Sequence, residues 1–206
     1  MRRGAEWVGG RFAGLLARDR SRTAELGRAK VGYVVKHRAV FLDRDGVLVR
    51  AAPLIDYAHG PLTLEDFSIF DNVAEPVQRL RDAGFLTVLA TNQPAIARGQ
   101  MSWETLNEMH RLLQAAVPLD DIEVCPHVDA DNCDCRKPKP GMLLDAAEKL
   151  NIDLPASYFI GDTGRDVKAA LAAGVTPILI DWPYNQKMQV LHRVKNVAEA
   201  VRLILG

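Results

Sequence analysis

Short apolar runs alternate along the chain with longer stretches in which apolar positions recur every three or four residues. The runs predict buried strands, and the recurring positions predict helices that pack against them. Strands are expected at 39–42, 85–91, 122–124, 158–161 and 177–181. Helices are expected from 73 to the glycine at 84, and at 102–116, 141–150, 167–173 and 197–205. Because strand and helix alternate throughout, the pattern predicts an α/β fold with a doubly wound parallel sheet.

Two stretches interrupt this alternation. Residues 50–70 contain prolines and few periodic apolar positions, so they predict a loop near a site and no large cap domain. Residues 1–38 precede the first strand and are expected to form a basic N-terminal extension to a domain that spans residues 39–206.

The charge of the chain is unevenly distributed. Residues 1–38 contain ten Arg or Lys and three acids, a net charge of +7, and the remainder therefore has a net charge of −7. An acidic body argues against general nucleic-acid binding through a broad basic face. The extension is Arg-rich without the apolar core of a secretory signal, and it is interpreted either as a loosely ordered segment or as a helix that docks a partner or an anionic membrane. No apolar run approaches the roughly 20 residues that span a bilayer.

Two aspartates, Asp43 and Asp45, directly follow the first predicted strand, and Gly46 allows a sharp turn there. Ligands of open α/β sheets bind at the carboxyl ends of the strands. Two carboxylates this close repel each other unless a cation or a shared proton separates them. The pair is therefore either an Asp-rich turn or a nucleophile and a proton donor around Mg2+.

Three further polar stretches fall at or just after predicted strands. Thr91 and Asn92 could hold phosphate oxygens through a hydroxyl and an amide, or could cap a turn. Arg136 and Lys137 lie in a proline-containing basic loop that could offset the charge of a phosphoryl group, or could simply be solvated. Asp162 could complete an oxygen-rich Mg2+ site with Asp43 and a backbone carbonyl, while Asp166 could cap the following helix or hold Lys137.

All three cysteines, Cys125, Cys133 and Cys135, fall within eleven residues, and His127 lies among them. An odd, clustered count is a poor disulfide framework and is typical of a metal site in a reducing cytoplasm. Three thiolates and one imidazole form a complete tetrahedral set for structural zinc. The alternative is three reduced cysteines in a loop.

The order of these stretches resembles that of the haloacid dehalogenase-like phosphohydrolase superfamily, over residues 39–175. Within it, the chain is similar to the small, cap-poor branch that contains heptose bisphosphate phosphatases and histidinol-phosphate phosphatases. The motifs that carry the resemblance are 43–46, 91–93, 96–99 and the run from 125 to 142.

The resemblance implies a role for each candidate residue. Asp43 would be the nucleophile that forms an aspartyl-phosphate, and Asp45 the general acid and base. Thr91, Asn92 and Lys137 would hold phosphoryl oxygens, and Arg136 would contact substrate. Asp43, Asp45 and Asp162 would bind Mg2+, and a zinc-stapled loop would present Arg136 and Lys137. The expected protein is a cytoplasmic Mg2+-dependent phosphatase of a small phosphorylated metabolite.

The choice of substrate stays open between the two members of the branch. Residues 96–99 and 140–144 look like the heptose bisphosphate 7-phosphatase type, which we favour. The short gap between His127 and Cys133 looks like the histidinol-phosphate type. Another small sugar phosphate or a non-catalytic binding module on the same fold are further alternatives, although the complete set of acidic residues and Lys137 argues against the module.

Overall fold

The computed structural model describes residues 35–51 and 60–206, which form a parallel sheet flanked by helices. The strands are β1 (Ala39–Leu42), β2 (Leu86–Asn92), β3 (Asp121–Cys125), β4 (Tyr158–Gly161), β5 (Thr176–Ile180) and β6 (Arg193–Val194). The helices are α1 (Ala74–Asp82), α2 (Trp103–Ala116), α3 (Gly141–Leu150), α4 (Gly164–Ala172) and α5 (Val197–Leu205). All neighbouring strands pair in parallel in the order β3-β2-β1-β4-β5-β6, which confirms the predicted α/β class.

The direction in which successive strands are added to the sheet reverses at β1. From β1 the chain adds β2 and β3 on one side, then crosses back to place β4, β5 and β6 on the other. Where two successive crossovers diverge in this way, a crevice opens beyond the carboxyl ends of the strands. Asp43 follows β1 and Asp162 follows β4, so both predicted site residues lie at this switch point.

The apolar core lies on both faces of the sheet and fixes the position of β1. Its four residues are fully buried, as expected of a central parallel strand. Val40 and Leu42 pack with side chains of α1 and α5, and Ala39 and Phe41 pack with side chains of α3 and α4. Because successive side chains of a strand point to opposite faces, one strand is held by both layers.

Among the helices and strands, two differ from the sequence prediction by more than two residues, and the other bounds agree within one or two residues. Helix α4 begins at Gly164 instead of 167, because Thr163 and Asp166 form a capping box that satisfies the first turn. Strand β6 was not predicted, since two residues, Arg193 and Val194, give no apolar run. The Asp181 amide hydrogen-bonds the Val194 carbonyl, which extends the pairing beside β5.

The remaining predictions concern the two interruptions. Residues 60–72 form bends and turns without a helix, as expected for a loop, and residues 52–59 lie outside the described part. Most of the predicted extension, residues 1–34, also lies outside it, and the domain boundary stays a prediction. Within the described residues, no helix is long and apolar enough to cross a membrane.

Candidate active site

Asp43 lies directly beyond β1 and is almost buried, with 8% of its surface exposed. The end of the strand holds its backbone, because its amide donates to the carbonyl of Ile160 on β4 at 3.0 Å. Its Oδ1 accepts from the Arg44 amide at 2.8 Å and lies 2.9 Å from Lys137 Nζ. The predicted nucleophile is thus oriented by the backbone and faces a cation.

That cation is the ammonium group of Lys137, which is buried in the centre of the site. Its Nζ contacts Asp43 Oδ1 at 2.9 Å, Asp166 Oδ1 at 2.6 Å and the Ala90 carbonyl at 2.9 Å. Burial by itself would lower the pKa of Lys137, but Asp166 and Asp43 more than offset it and raise that pKa above its usual value. The ammonium therefore stays charged, and Asp166 fulfils both alternatives that the sequence left open, because it holds Lys137 and also caps α4.

Asp43, Asp162 and Asp166 bring carboxylate oxygens within 4.8 Å of one another. Burial is the largest cause that raises the pKa of Asp43 to about 7; the carboxylates of Asp166 and Asp45 contribute to this rise, and Lys137 opposes it. Burial, and then Asp166 and Asp43, also raise the pKa of Asp162. The single positive charge of Lys137 therefore does not balance the three carboxyl groups when they are ionised.

The donor set is chemically suited to Mg2+, which prefers oxygen ligands. Asp162 is fully buried, and its Oδ1 has no hydrogen-bond partner in the described part of the chain. An unpaired buried carboxylate oxygen is unfavourable unless a cation or a donor meets it. Asp162 therefore has an unpaired oxygen that a divalent cation would satisfy, and it lies beside Asp43, which shares the single charge of Lys137 with Asp166.

Asp45 turns its carboxylate away from this group. Arg44, which is fully buried, donates to both of its oxygens, from Nε to Oδ1 at 2.9 Å and from Nη2 to Oδ2 at 3.1 Å. Gln93 Nε2 adds a bond to Asp45 Oδ2 at 2.9 Å and another to Thr91 Oγ1 at 2.9 Å. The predicted Mg2+ contact of Asp45 would therefore come from its backbone carbonyl, and it stays a prediction.

The sequence analysis assigned no role to Arg44 or Gln93, although both lie within motifs that carry the family resemblance, at 43–46 and 91–93. Gln93 Oε1 accepts from Arg44 Nη2 at 2.9 Å, so the two side chains form one network around Asp45. Gly60 also approaches: a Cβ there would lie 2.4 Å from Asp45 Oδ2. The predicted loop therefore reaches the site, at least at Gly60.

Asn92 holds the basic loop in place. Its Nδ2 donates to the Lys137 carbonyl at 3.0 Å, and its Oδ1 accepts from the Lys137 amide at 3.1 Å. Both ends of the side-chain amide are thus engaged by the backbone of one residue. The predicted contact of Asn92 with a phosphoryl oxygen, like that of Thr91, stays a prediction.

Arg136 points away from Lys137 and towards the rim. Its Nε donates to Asp129 Oδ1 at 2.7 Å, and its Nη1 is buried without a hydrogen-bond partner among the described residues. Arg165 Nη2 lies 3.5 Å from the other oxygen of Asp129. The hydrogen bond from Arg136 lowers the pKa of Asp129, so this exposed carboxylate is ionised at neutral pH.

The predicted zinc ligands lie together at the end of β3, where Cys125 is the last residue, and in the loop between β3 and α3. Cys133 Sγ lies 3.7 Å from Cys125 Sγ and 3.4 Å from Cys135 Sγ. His127 Nδ1 lies 3.7 Å from Cys125 Sγ and 3.3 Å from Cys135 Sγ. Zinc–sulfur bonds of about 2.3 Å in a tetrahedron separate the sulfurs by about 3.8 Å. The four atoms are therefore spaced as ligands of one tetrahedral ion would be.

Residues 182–185, to which the sequence analysis assigned no role, also reach the site. Trp182 Nε1 donates to the Gly46 carbonyl at 3.0 Å, and Tyr184 donates its hydroxyl to Asp162 Oδ2. Asn185 Nδ2 donates to the Asp162 carbonyl at 2.8 Å. This part of the chain directly follows β5, as the other site loops directly follow their strands. Its position and the polar groups of Trp182 and Tyr184 were the sequence signal that could have identified it as part of the site.

The site and fold agree with a known family. The family model of haloacid dehalogenase-like hydrolases matches residues 56–174, more than half of the chain. The chain belongs to this family.

Individual proteins of known name give a more specific comparison than the family model does. D-glycero-beta-D-manno-heptose-1,7-bisphosphate 7-phosphatase of Escherichia coli (strain K12) is 41% identical over 156 residues, covering 69% of this chain and 78% of the relative. The protein of the same name from Yersinia pestis is 39% identical over 156 residues, covering 69% and 79%. Among solved structures, D,D-heptose 1,7-bisphosphate phosphatase of B. bronchiseptica, complexed with magnesium and phosphate, is 30% identical with a TM-score of 0.71, covering 82% of this chain and 98% of that one.

Proposed function

We propose that the chain is a phosphatase that removes the 7-phosphate of D-glycero-D-manno-heptose 1,7-bisphosphate. The observation that carries the proposal is Asp43 at the switch point of the sheet, 2.9 Å from the buried Lys137 and grouped with Asp162. A carboxylate nucleophile beside a fixed cation suits phosphoryl transfer, because the cation offsets the repulsion between two anions. Relatives with this activity in their names, at 39% and 41% identity, support the choice of substrate.

The residues would act in two steps. In the first, an Asp43 oxygen forms a bond to phosphorus as the bond from phosphorus to the sugar oxygen breaks, and Asp45 gives its proton to that leaving oxygen. In the second, Asp45 takes a proton from water, whose oxygen attacks phosphorus and releases Asp43 and inorganic phosphate. Arg44 and Gln93 hold the Asp45 carboxylate, so it would need to turn towards the leaving oxygen.

We propose Mg2+ as the catalytic metal, held by Asp43, Asp162 and the backbone carbonyl of Asp45. When bound, it would neutralise charge on the phosphoryl oxygens and on the grouped carboxylates. Thr91 and Lys137 would orient the same oxygens from the protein side.

Zinc has a different role in the proposal. Cys125, His127, Cys133 and Cys135 would hold it with no open position, so it would be structural. It would fix the loop that carries Arg136 and Lys137. A cytoplasmic location is part of the proposal, because reduced thiols persist in a reducing compartment.

Arg136 would recognise the second phosphate of the bisphosphate. Its buried Nη1 has no partner in the described part of the chain, and a guanidinium suits a phosphate with two parallel hydrogen bonds. Histidinol phosphate is the second candidate, favoured by the five residues between His127 and Cys133.

The test is Mg2+-dependent phosphate release from heptose 1,7-bisphosphate, histidinol phosphate and a panel of small sugar phosphates. We expect the highest kcat/KM for the bisphosphate, and background rates for folded Asp43→Asn. Asp71→Asn, at an exposed carboxylate, is the matched control and should behave as wild type. Preference for histidinol phosphate would overturn the substrate, and release by Asp43→Asn would overturn the mechanism. No release from any substrate would favour a non-catalytic binding module.

A further inference from the structure

Residues 182–185 contact both loops that carry the candidate Mg2+ ligands. Trp182 donates to the carbonyl of Gly46, three residues after Asp43, and Asn185 donates to the carbonyl of Asp162. Tyr184 donates to the side chain of Asp162 itself. These three contacts join the end of β5 to the ends of β1 and β4.

The two oxygens of Asp162 have different surroundings. Oδ2 accepts the hydrogen bond from Tyr184, whereas Oδ1 is buried and has no hydrogen-bond partner among residues 35–51 and 60–206. The carboxylate also belongs to the group with Asp43 and Asp166, and its surroundings exclude water. An ionised carboxylate oxygen in such surroundings is unfavourable unless a cation or a hydrogen-bond donor meets it.

We propose that Tyr184 is a positioning residue for the metal site, whose hydroxyl holds Oδ2 so that Oδ1 is presented to Mg2+. This inference rests on the proposed Mg2+-dependent function. Groups that orient a metal ligand from behind contribute to affinity, because the ligand is then already in its bound orientation. Without the hydroxyl, repulsion from Asp43 and Asp166 would favour rotation of the Asp162 carboxylate away from them.

The hydroxyl can be separated from the packing of the ring. The Tyr184 ring stacks on Trp182, with centroids 6.3 Å apart and planes 9° apart, and Trp182 packs on Phe70 at 6.3 Å. Phenylalanine at position 184 would keep this stacking and lose only the donor. The space around the hydroxyl is narrow: a Cβ on Gly46 would lie 3.2 Å from it.

Tyr184→Phe tests the inference, with Tyr158→Phe as the matched control. Tyr158 begins β4, at the opposite end of the strand from Asp162, and its ring packs against Phe85 at 6.2 Å. Mg2+ binding is measured without substrate by isothermal titration calorimetry, and the rise in Tm on adding Mg2+ is measured in parallel. The zinc content of each protein is checked first.

We expect Tyr184→Phe to raise the Kd of Mg2+ by about 10- to 100-fold and to reduce the Mg2+-induced rise in Tm. Tyr158→Phe should bind Mg2+ as wild type does. An unchanged or lower Kd in Tyr184→Phe would overturn the inference, even if its Mg2+-free Tm falls, because the tyrosine would then only pack. Wild-type protein that binds no Mg2+ would overturn the proposed function and this inference with it.

Discussion

Asp43 lies where its charge is disfavoured in the absence of a metal. Burial raises its pKa to about 7, although the buried Lys137 ammonium is 2.9 Å away. A carboxyl with a raised pKa destabilises the folded state once it ionises, because the unfolded chain ionises more readily. The feature that suits Asp43 to a cation and a phosphoryl group therefore reduces the stability of the metal-free protein.

Replacing this carboxyl should stabilise the metal-free protein at high pH. In Mg2+-free buffer at pH 8, we expect Asp43→Asn to raise the free energy of unfolding by about 1–3 kcal/mol. As the pH falls below 7, wild-type Asp43 takes up its proton in the folded state, so the advantage of the variant should shrink steadily and disappear only below the ordinary carboxyl pKa of 3.8. Urea unfolding at several pH values measures this, with Asp71→Asn as the control. An advantage that grows towards low pH would contradict the sign of the shift.

Arg136 and Lys137 are neighbours in sequence with different surroundings. Lys137 contacts the predicted nucleophile, whereas Arg136 contacts Asp129 at the rim. Arg136→Ala should lower kcat/KM for the bisphosphate about ten- to a hundredfold, because a charge-assisted contact contributes about 1.5–3 kcal/mol. Acetyl phosphate has no remote group to hold, so its kcat/KM should fall much less.

Lys137→Ala is the control for the Arg136→Ala result, because Lys137 would contact the reacting phosphoryl group in any substrate. Both substrates place a phosphoryl group at Asp43, so this variant should impair both alike. If Arg136→Ala also impaired both substrates equally, Arg136 would serve the reacting phosphate, and the bisphosphate would lose its main physical support.

Residue roles were predictable where they depend on strand ends. Asp43 and Asp162 follow buried runs, and the fold brings their carboxylates together, as expected of neighbouring strands. Arg44 and Tyr184 were not assigned roles, because these depend on contacts that the local pattern does not contain. Tyr184 meets Asp162 across 22 positions, and Arg44 is fully buried, which is unusual for arginine.

At the scale of elements, the loop between β3 and α3 connects the metal cluster to the chemistry. Cys133 and Cys135 lie two to four residues before Lys137, whose backbone is held by Asn92 from β2. Fixing the cysteines therefore restricts the residues that follow them. A zinc ion here would act on activity through the position of the loop.

Cys133→Ser should separate this role from catalysis. We expect about one zinc per chain in wild type and a large loss in the variant, since one of four ligands is removed. Activity and Tm should fall while the Mg2+ requirement persists, as measured by elemental analysis, thermal unfolding and phosphate release. Asp134→Ser changes the exposed residue between the cysteines and should retain zinc. Wild-type protein purified without chelator and free of zinc would contradict the proposal.

Element boundaries were predictable to the extent that local signals define them. Ser102 accepts from the Thr105 amide and caps α2, so this helix begins within one residue of the expected position, and α3 and α5 begin and end as expected. The start of α4 was placed too late because the apolar period begins only at Val167, although Thr163 and Asp166 carried a capping signal. Strand β6 depends on pairing with β5, which a two-residue segment does not indicate by itself.

At the scale of the whole molecule, the site depends on the order of the strands. Alternation of strands and helices predicts a parallel sheet, but it does not state which strands are neighbours. The observed order places β4 beside β1, with Phe41 opposite Phe159, and so brings the loops after these strands together. The family resemblance predicted that the loops after β1 and β4 lie together, because it assigns Asp43 and Asp162 to one metal site. The apolar periodicity alone does not predict this proximity.

The boundary between the predicted extension and the folded domain can be located by truncation. His37 already pairs with the end of α3: its amide donates to the Asn151 carbonyl at 2.9 Å, and its carbonyl accepts from the Asp153 amide at 2.7 Å. Arg38 places its guanidinium 4.2 Å from the centre of the Phe85 ring. Residues 35–38 therefore contribute contacts to the domain, although they fall on the extension side of the predicted boundary.

A chain that lacks residues 1–34 should retain the Tm and the kcat/KM of the full chain, because it keeps every contact of the described core. A chain that lacks residues 1–38 should lose about 1.5–4.5 kcal/mol of unfolding free energy, since the three backbone hydrogen bonds made by His37 and Arg38 contribute about 0.5–1.5 kcal/mol each. Urea unfolding of the two truncations and the full chain measures the difference. Equal stability of the two truncations would place the boundary at 38 as predicted from the sequence. A loss already present on removing 1–34 would show that the basic segment stabilises the domain, contrary to its interpretation as an appendage.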